Sequence, residues 1–91
     1  MLTEELGLYD SANGESLLPT RVVDVSDEFG EPAKLVYAKA ERGPLVQVQW
    51  GCARIHYFYE EPYGEKMIRD DAQRWRMTPD GLVSLIRRHA V

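Results

Sequence analysis

Residues 47–61 constrain the fold of this chain more than any other stretch. They form two runs of alternating apolar and polar side chains that meet at Gly51-Cys52. A two-residue turn that begins with glycine is typical of a type II′ β-hairpin. The resulting register pairs Trp50 with Ala53, Val48 with Ile55 and Val46 with Tyr57 on one face, and Gln49 with Arg54 and Gln47 with His56 on the other. Turn chemistry and side-chain period therefore specify the same hairpin.

Two further strands are predicted upstream of this hairpin. Residues 20–26 are short and β-branched, and residues 34–41 alternate with both faces partly apolar. The connection into the hairpin leaves two registers open. A direct turn at Arg42-Gly43 places Leu35 opposite Trp50, on the apolar face of the hairpin. A loop one residue longer brings Val36 and Ala38 to that apolar face instead.

The end of the chain predicts an amphipathic helix. Thr78 is a good N-cap, Pro79 suits the first helical position, and the last turn carries basic residues. Its apolar stripe has the helical spacing and consists of Leu82, Leu85, Ile86 and His89. We expect this stripe to pack on the apolar face of the hairpin.

Residues 66–77 are ambiguous. Trp75 and Met77 alternate with Arg74 and Arg76, which favours a strand, although residues 68–75 also fit a helical turn. We expect a final strand at the sheet edge, where charged side chains discourage unwanted pairing.

The predicted fold class is α+β, an antiparallel meander of four to five strands with a C-terminal amphipathic helix packed on one face. We expect a single domain over residues 1–91. Within it, residues 1–19 form an N-terminal arm or short helix, residues 20–77 the antiparallel sheet, and residues 78–91 the C-terminal helix. The helical pattern of the arm rests on Leu2, Leu6 and Tyr9.

Composition favours a small cytoplasmic protein. The chain has 91 residues, is 44% hydrophobic, and contains no apolar run near the ~20 residues of a membrane span. The opening Met-Leu-Thr-Glu-Glu lacks the basic and then apolar start of a secretory signal. A lone Cys52 forms no internal disulfide, which favours a reducing compartment. We therefore expect no membrane partner.

No motif predicts catalysis, a cofactor or a metal site. Cys52 and His56 are the one nucleophile and base pair, but four residues along a strand span about 13 Å. Acidic pairs occur at residues 27–28, 60–61 and 70–71 without a metal-binding spacing, and the seven glycines are isolated from one another. We expect a protein that is not an enzyme.

The polar face of the hairpin is the predicted partner-binding surface, because Phe58 adds an aromatic side chain there beside arginine, and both types are enriched at interface hot spots. The alternative is that Leu17, Leu18 or the N-terminal arm covers Phe58. The candidate residues are Leu45, Gln47, Gln49, Arg54, His56, Phe58, Glu60 and Glu61.

Charge is unevenly distributed along the chain. Residues 1–31 carry eight acidic residues against one arginine, whereas residues 66–91 carry six basic against three acidic residues. The two ends can neutralise one another or serve as separate docking surfaces. The net charge of −4 is unfavourable for a duplex-DNA binder.

The leading functional hypothesis is a non-catalytic protein-interaction module with a protein partner; the sequence is also compatible with a homodimer. A narrower version is a small acidic inhibitor of a nucleic-acid-handling enzyme, of the kind encoded by phages or mobile elements. Its acidic face would imitate nucleic acid and consist of Asp24, Asp27, Glu28 and Glu31, with Glu60, Glu61 and Glu65. The alternative is a small nucleic-acid-binding domain that uses Arg74, Arg76, Arg87 and Arg88.

Overall fold

The computed structural model describes residues 9–10 and 15–90. Two short strands, β1 (Tyr9–Asp10) and β2 (Glu15–Ser16), pair antiparallel with each other. The predicted N-terminal helical pattern falls largely outside the described residues. Its last member, Tyr9, lies in β1.

The main sheet has four antiparallel strands in the order in which they occur along the chain. These are β3 (Pro19–Asp24), β4 (Ala33–Ala40), β5 (Gly43–Trp50) and β6 (Ala53–Tyr57). A one-turn helix, α1 (Ser26–Phe29), connects β3 to β4. Together with the helices that follow β6, this sheet confirms the predicted α+β class.

The hairpin of β5 and β6 has the predicted register at all five pairs, from Trp50 with Ala53 to Val46 with Tyr57. Gly51 has a φ of 60°, and Arg76 is the one non-glycine residue with a positive φ in the described part of the chain. Cys52 therefore has a negative φ. A positive φ at the first turn residue alone is the type II′ geometry.

The register of β4 with β5 differs from both predicted alternatives. Leu35 lies opposite Val48, and Tyr37 lies opposite Val46, because the strands are joined by a turn at residues 41–42. The pairing is shifted by two residues from the direct turn at Arg42-Gly43. A shift of two leaves every side chain on its predicted face, so hydrophobic alternation cannot distinguish these registers.

The predicted final strand at residues 66–77 is wrong. The segment belongs to helix α2 (Pro62–Asp71) and a 3-10 turn at Ala72–Trp75, so the main sheet ends at Tyr57 and the predicted sheet boundaries of 20–77 are too long. Ile68, Ala72 and Trp75 are buried at helical spacing. Their burial against the sheet outweighs the short alternation of residues 74–77.

Helices cover one face of the main sheet. The last helix, α3 (Pro79–His89), buries Leu82, Val83, Leu85 and Ile86 in the same cluster as Leu35, Val48 and Tyr57 of the sheet. The opposite face has a smaller cluster, which consists of Leu17, Val36, Ala38, Ala40 and Leu45, with Phe58 at its margin. None of the described helices is long and apolar enough to cross a membrane.

Candidate functional site

Three of the predicted partner-binding residues are buried. Leu45 lies in the smaller apolar cluster, and Gln47 and Gln49 are 2% and 8% exposed. The side-chain amide nitrogen of Gln49 donates a hydrogen bond of 2.7 Å to the side-chain oxygen Oε1 of Gln47. These residues stabilise the second face of the sheet in this structure and are not accessible to a partner.

Phe58 is partly buried, and its ring contacts an arginine side chain. The Arg42 guanidinium lies 4.2 Å from the centre of the Phe58 ring, and His56 contacts that ring edge-on. Arg42 also donates two hydrogen bonds to the Glu61 carboxylate, of 2.8 and 2.6 Å, and these bonds hold the pKa of Glu61 below its usual value. Leu17 packs in the cluster beside Phe58, so the expectation that this face is covered is confirmed for Leu17.

Arg54, His56 and Glu60 remain exposed. One terminal nitrogen of Arg54 donates to the carbonyl oxygens of Gly51 and Ala53, both at 2.8 Å, which fixes the guanidinium near the hairpin turn. The predicted surface is therefore reduced to its outer part, along strand β6.

The backbone of β6 leaves hydrogen-bonding groups free. Within the described residues, β6 pairs with β5 alone and lies at the edge of the sheet. In a hairpin closed by a two-residue turn, Trp50 and Ala53 form a hydrogen-bonded pair, and bonded and non-bonded pairs alternate from there. Arg54 and His56 occupy non-bonded pairs, so their N–H and C=O groups point away from the sheet.

Helix α2 places two apolar side chains beside this edge. Tyr63 is 65% exposed and Met67 is 39% exposed, and they lie one helical turn apart. Together with Arg42, His56 and Phe58, they line a cavity of about 190 Å³. We call the group formed by Arg42, Arg54, His56, Phe58, Tyr63 and Met67 the β6 edge site.

Gly64 sets the position of α2 in this site. A Cβ built on Gly64 would lie 1.8 Å from the Phe58 carbonyl oxygen, so only glycine permits this approach of the helix to the strand. Because residues 66–77 were predicted as a strand, the proximity of Met67 to Tyr63 on one helix was missed. The signal in the sequence is Pro62 at a helix start, with Tyr63 and Met67 at i and i+4.

The four candidate nucleic-acid-binding arginines have different environments. Arg74 is exposed on the 3-10 turn, and Arg76 has a φ of 56° with its guanidinium 5.1 Å from the Trp50 ring centre. Arg87 forms an ion pair with Glu65, and Arg88 is exposed in the last turn of α3. The expectation that Arg74 and Arg76 share a strand face is wrong, because no strand is present there.

The residues considered for catalysis are separated. Cys52 is exposed in the turn and His56 lies four residues further along β6. Asp70 pairs with Lys66, whereas Asp71 accepts a hydrogen bond from the Tyr57 hydroxyl. In residues 9–10 and 15–90, no three His, Cys, Asp or Glu side chains form a group suited to a metal ion.

Comparison of the chain with protein-family models, curated proteins and solved structures finds no match.

Proposed function

We propose that this protein is a non-catalytic protein-interaction module that contacts its partner through the β6 edge site. One observation carries the proposal: Tyr63 and Met67 are exposed and line a cavity beside β6, which within the described residues pairs only with β5. Tyrosine is enriched at interface hot spots, and methionine adapts to differently shaped partners. The site combines these side chains with an aromatic ring and two arginines.

The distribution of exposed apolar side chains supports this location. In the described part of the chain, the exposed large hydrophobic residues are Leu18, Val22, Tyr63 and Met67. The first two lie before and within β3, at the opposite edge of the main sheet. Tyr63 and Met67 differ from them because they border a cavity with Arg42 and Phe58. A partner side chain can be enclosed there.

The two nucleic-acid hypotheses have less support from the contacts. Two acids of the proposed mimic surface, Glu61 and Glu65, already form ion pairs with arginines. The acids around α1 remain exposed, but they form a short connection and not an extended surface. The hypothesis of nucleic-acid binding by the arginines is weakened in the same way, because Arg87 is paired with Glu65 and Arg76 lies over the Trp50 ring.

The reducing cytoplasm is the compartment that we propose for this interaction. Cys52 is the one cysteine of the chain and is exposed as a free thiol. Free exposed thiols persist in compartments where glutathione and thioredoxin keep them reduced.

Affinity capture from the source cells tests the proposal. The bait is the full chain, compared with a Tyr63→Ala/Met67→Ser double variant. We expect a stoichiometric partner that is retained by the unaltered chain and lost with the variant, because truncation of hot-spot residues typically costs 2 kcal/mol or more of binding free energy, about a thirtyfold loss.

The matched control is Leu18→Ser/Val22→Thr, which removes equally exposed apolar groups from the opposite edge. This control should capture the partner as well as the unaltered chain. Equal loss with both variants, or unchanged capture with the Tyr63→Ala/Met67→Ser variant, contradicts the proposed site. Urea unfolding of each bait verifies that the baits are folded.

A further inference from the structure

We propose that the β6 edge site binds an extended peptide segment of another protein by strand addition, and that this segment carries an acidic and an apolar side chain on opposite faces. The inference deepens the proposed function and rests on it, because it specifies the partner segment and the binding mode. Strand addition supplies affinity through main-chain hydrogen bonds and specificity through pockets for alternate side chains.

The outward-pointing backbone groups of β6 make strand addition possible at this edge. The outward N–H and C=O groups of Arg54 and His56 form a template for one additional antiparallel or parallel strand. The opposite edge differs, since β3 begins with Pro19 and its pairing with β4 is irregular between Pro19 and Arg21. Proline and irregular pairing both discourage strand addition. The described part of β6 has neither feature.

The side chains on the two faces of β6 determine which types of peptide side chain fit at each position. A peptide residue opposite Arg54 projects to the face on which the Arg54 side chain lies, and a peptide residue opposite Tyr57 projects to the face covered by α2. Tyr63 and Met67 border the second position. These contacts select an acidic residue at the first position and an apolar residue at the second.

Arg54 determines the sign of the charge that the peptide side chain opposite it should carry. Its guanidinium is exposed and has no carboxylate partner within the described residues, where it donates to two turn carbonyls. A basic strand placed here would be repelled, whereas a carboxylate directly opposite gains a favourable cross-strand pair. The same charge also disfavours pairing of β6 with β6 of a second copy in a register that places the two Arg54 side chains opposite each other.

Positions 54 and 57 are three residues apart, so the peptide requires its acidic and apolar residues at an odd spacing. The probe is the peptide TTLTVDTK, with leucine and aspartate three positions apart. The matched control is TTLTDTVK, which has the same composition but places the aspartate two positions from both the leucine and the valine, and therefore on one face with them. We expect the probe to bind at least about tenfold more tightly than the control, as measured by amide chemical shifts in a titration of the isotope-labelled chain.

Backbone pairing is tested separately from side-chain contact. His56→Pro removes an outward N–H without removing a bond between β5 and β6, and His56→Thr changes the side chain but keeps that N–H. We expect His56→Pro to bind the probe at least about tenfold more weakly than His56→Thr, because the two variants both lack the imidazole and differ in the outward N–H. Bound probe should also slow hydrogen exchange at the Arg54 and His56 amides. Equal binding by both variants overturns strand addition.

A peptide-side experiment covers the case in which His56→Pro fails to fold. The probe is methylated on one or the other alternate set of its amide nitrogens, since successive N–H groups of a strand point to opposite sides. One set should abolish binding and the other should preserve it. Equal effects of the two sets, or no difference between probe and control peptide, overturn the proposal.

Two outcomes separate this inference from the proposed function. If the captured partner depends on Tyr63 and Met67 but is unaffected by His56→Thr and His56→Pro alike, the interaction module stands and strand addition is wrong. A dimer in light scattering that dissociates with His56→Pro also overturns the inference, because a second copy then occupies the edge. If capture is unchanged with the Tyr63→Ala/Met67→Ser variant, the proposed function itself is wrong, whatever the result for His56.

Discussion

Gly64 is the residue at which helix α2 comes closest to the sheet. The Cβ of any larger residue would lie 1.8 Å from the Phe58 carbonyl oxygen, a backbone atom that cannot rotate away. We expect Gly64→Ala to lower the free energy of unfolding by about 1–3 kcal/mol, as for overpacked interiors. Urea denaturation measures this change, and loss of peptide or partner binding should accompany it because Tyr63 and Met67 move.

Ser84→Ala is the control for Gly64→Ala, since it introduces alanine at an exposed position of α3. Its effect should stay within about 0.5 kcal/mol. Alanine is a better helix former than glycine by about 1 kcal/mol. A Gly64→Ala variant that is more stable than the unaltered chain would therefore show that the close contact with Phe58 is absent.

Gln47 and Gln49 show why single residues of the site were hard to predict. Alternation correctly placed them on the second face of β5, with Arg54 and His56 opposite. Their polarity indicated exposure, but β5 is a central strand and its second face is buried. A pattern of period two gives the face of a residue and not what covers that face. Buried glutamines satisfy each other by hydrogen bonding, as this pair does.

At the scale of elements, local signals predicted the hairpin and failed for α2. The register of β5 with β6 follows from Gly51 and from the alternation on both sides of it, which all lie within residues 46–57. Helix α2 instead gains its stability from burial of Ile68 and from continuation into the 3-10 turn that buries Trp75. These contacts are with distant strands, so the local alternation of residues 74–77 was misleading.

The start of α3 provides a test of one helix-capping contact. Thr78 accepts a hydrogen bond of 3.0 Å from the Gly81 backbone N–H, and Pro79 occupies the first helical turn. Thr78 is exposed, so its side chain contributes mainly by capping. We expect Thr78→Ala to lower the free energy of unfolding by about 1 kcal/mol, and Thr78→Ser to change it by less than half of that. Thermal unfolding of both variants measures the difference. Equal destabilisation would assign the role to the methyl group of Thr78.

At the scale of the whole molecule, ion pairs connect the helices to each other. They do not connect the acidic segment near the start of the described chain to the basic segment near its end. Glu65 of α2 pairs with Arg69 and with Arg87 of α3, and Arg69 also pairs with Asp80. Among residues 15–90, no ion pair joins the acidic segment before β4 to the basic segment after Lys66. Lys66, Arg69 and Arg87 of the basic segment are instead paired with acids of the helical layer, which a count of charges along the sequence could not decide.

Two buried tyrosine hydroxyls join the sheet to the helical layer. Tyr37 of β4 donates a hydrogen bond to the Ile86 carbonyl oxygen in α3. Tyr57 of β6 donates to Asp71 at 2.8 Å and accepts from the Trp75 indole N–H at 3.0 Å. Burial is the main cause that raises the pKa of both phenols above the ordinary value of 10.0.

This burial predicts alkaline unfolding. Below pH 10, both tyrosines are protonated in the folded and unfolded chains, and their contribution to stability is fully present. Above pH 10, the unfolded chain ionises first, so the folded chain binds more protons and the free energy of unfolding falls as pH rises toward the raised pKa values. The slope is at most about 1.4 kcal/mol per pH unit for each tyrosine.

Tyr57→Phe separates this effect from the titration of other groups. At pH 8 the variant should be less stable by about 1–3 kcal/mol, because the buried Trp75 N–H loses its acceptor. Between pH 10 and 11 it should lose stability less steeply than the unaltered chain, since one buried phenol has been removed. Urea unfolding at each pH gives both quantities. Identical slopes for the variant and the unaltered chain would mean that Tyr57 ionises at the same pH whether the chain is folded or unfolded. Burial of Tyr57 between the sheet and the helices would then contribute nothing to the pH dependence of the fold.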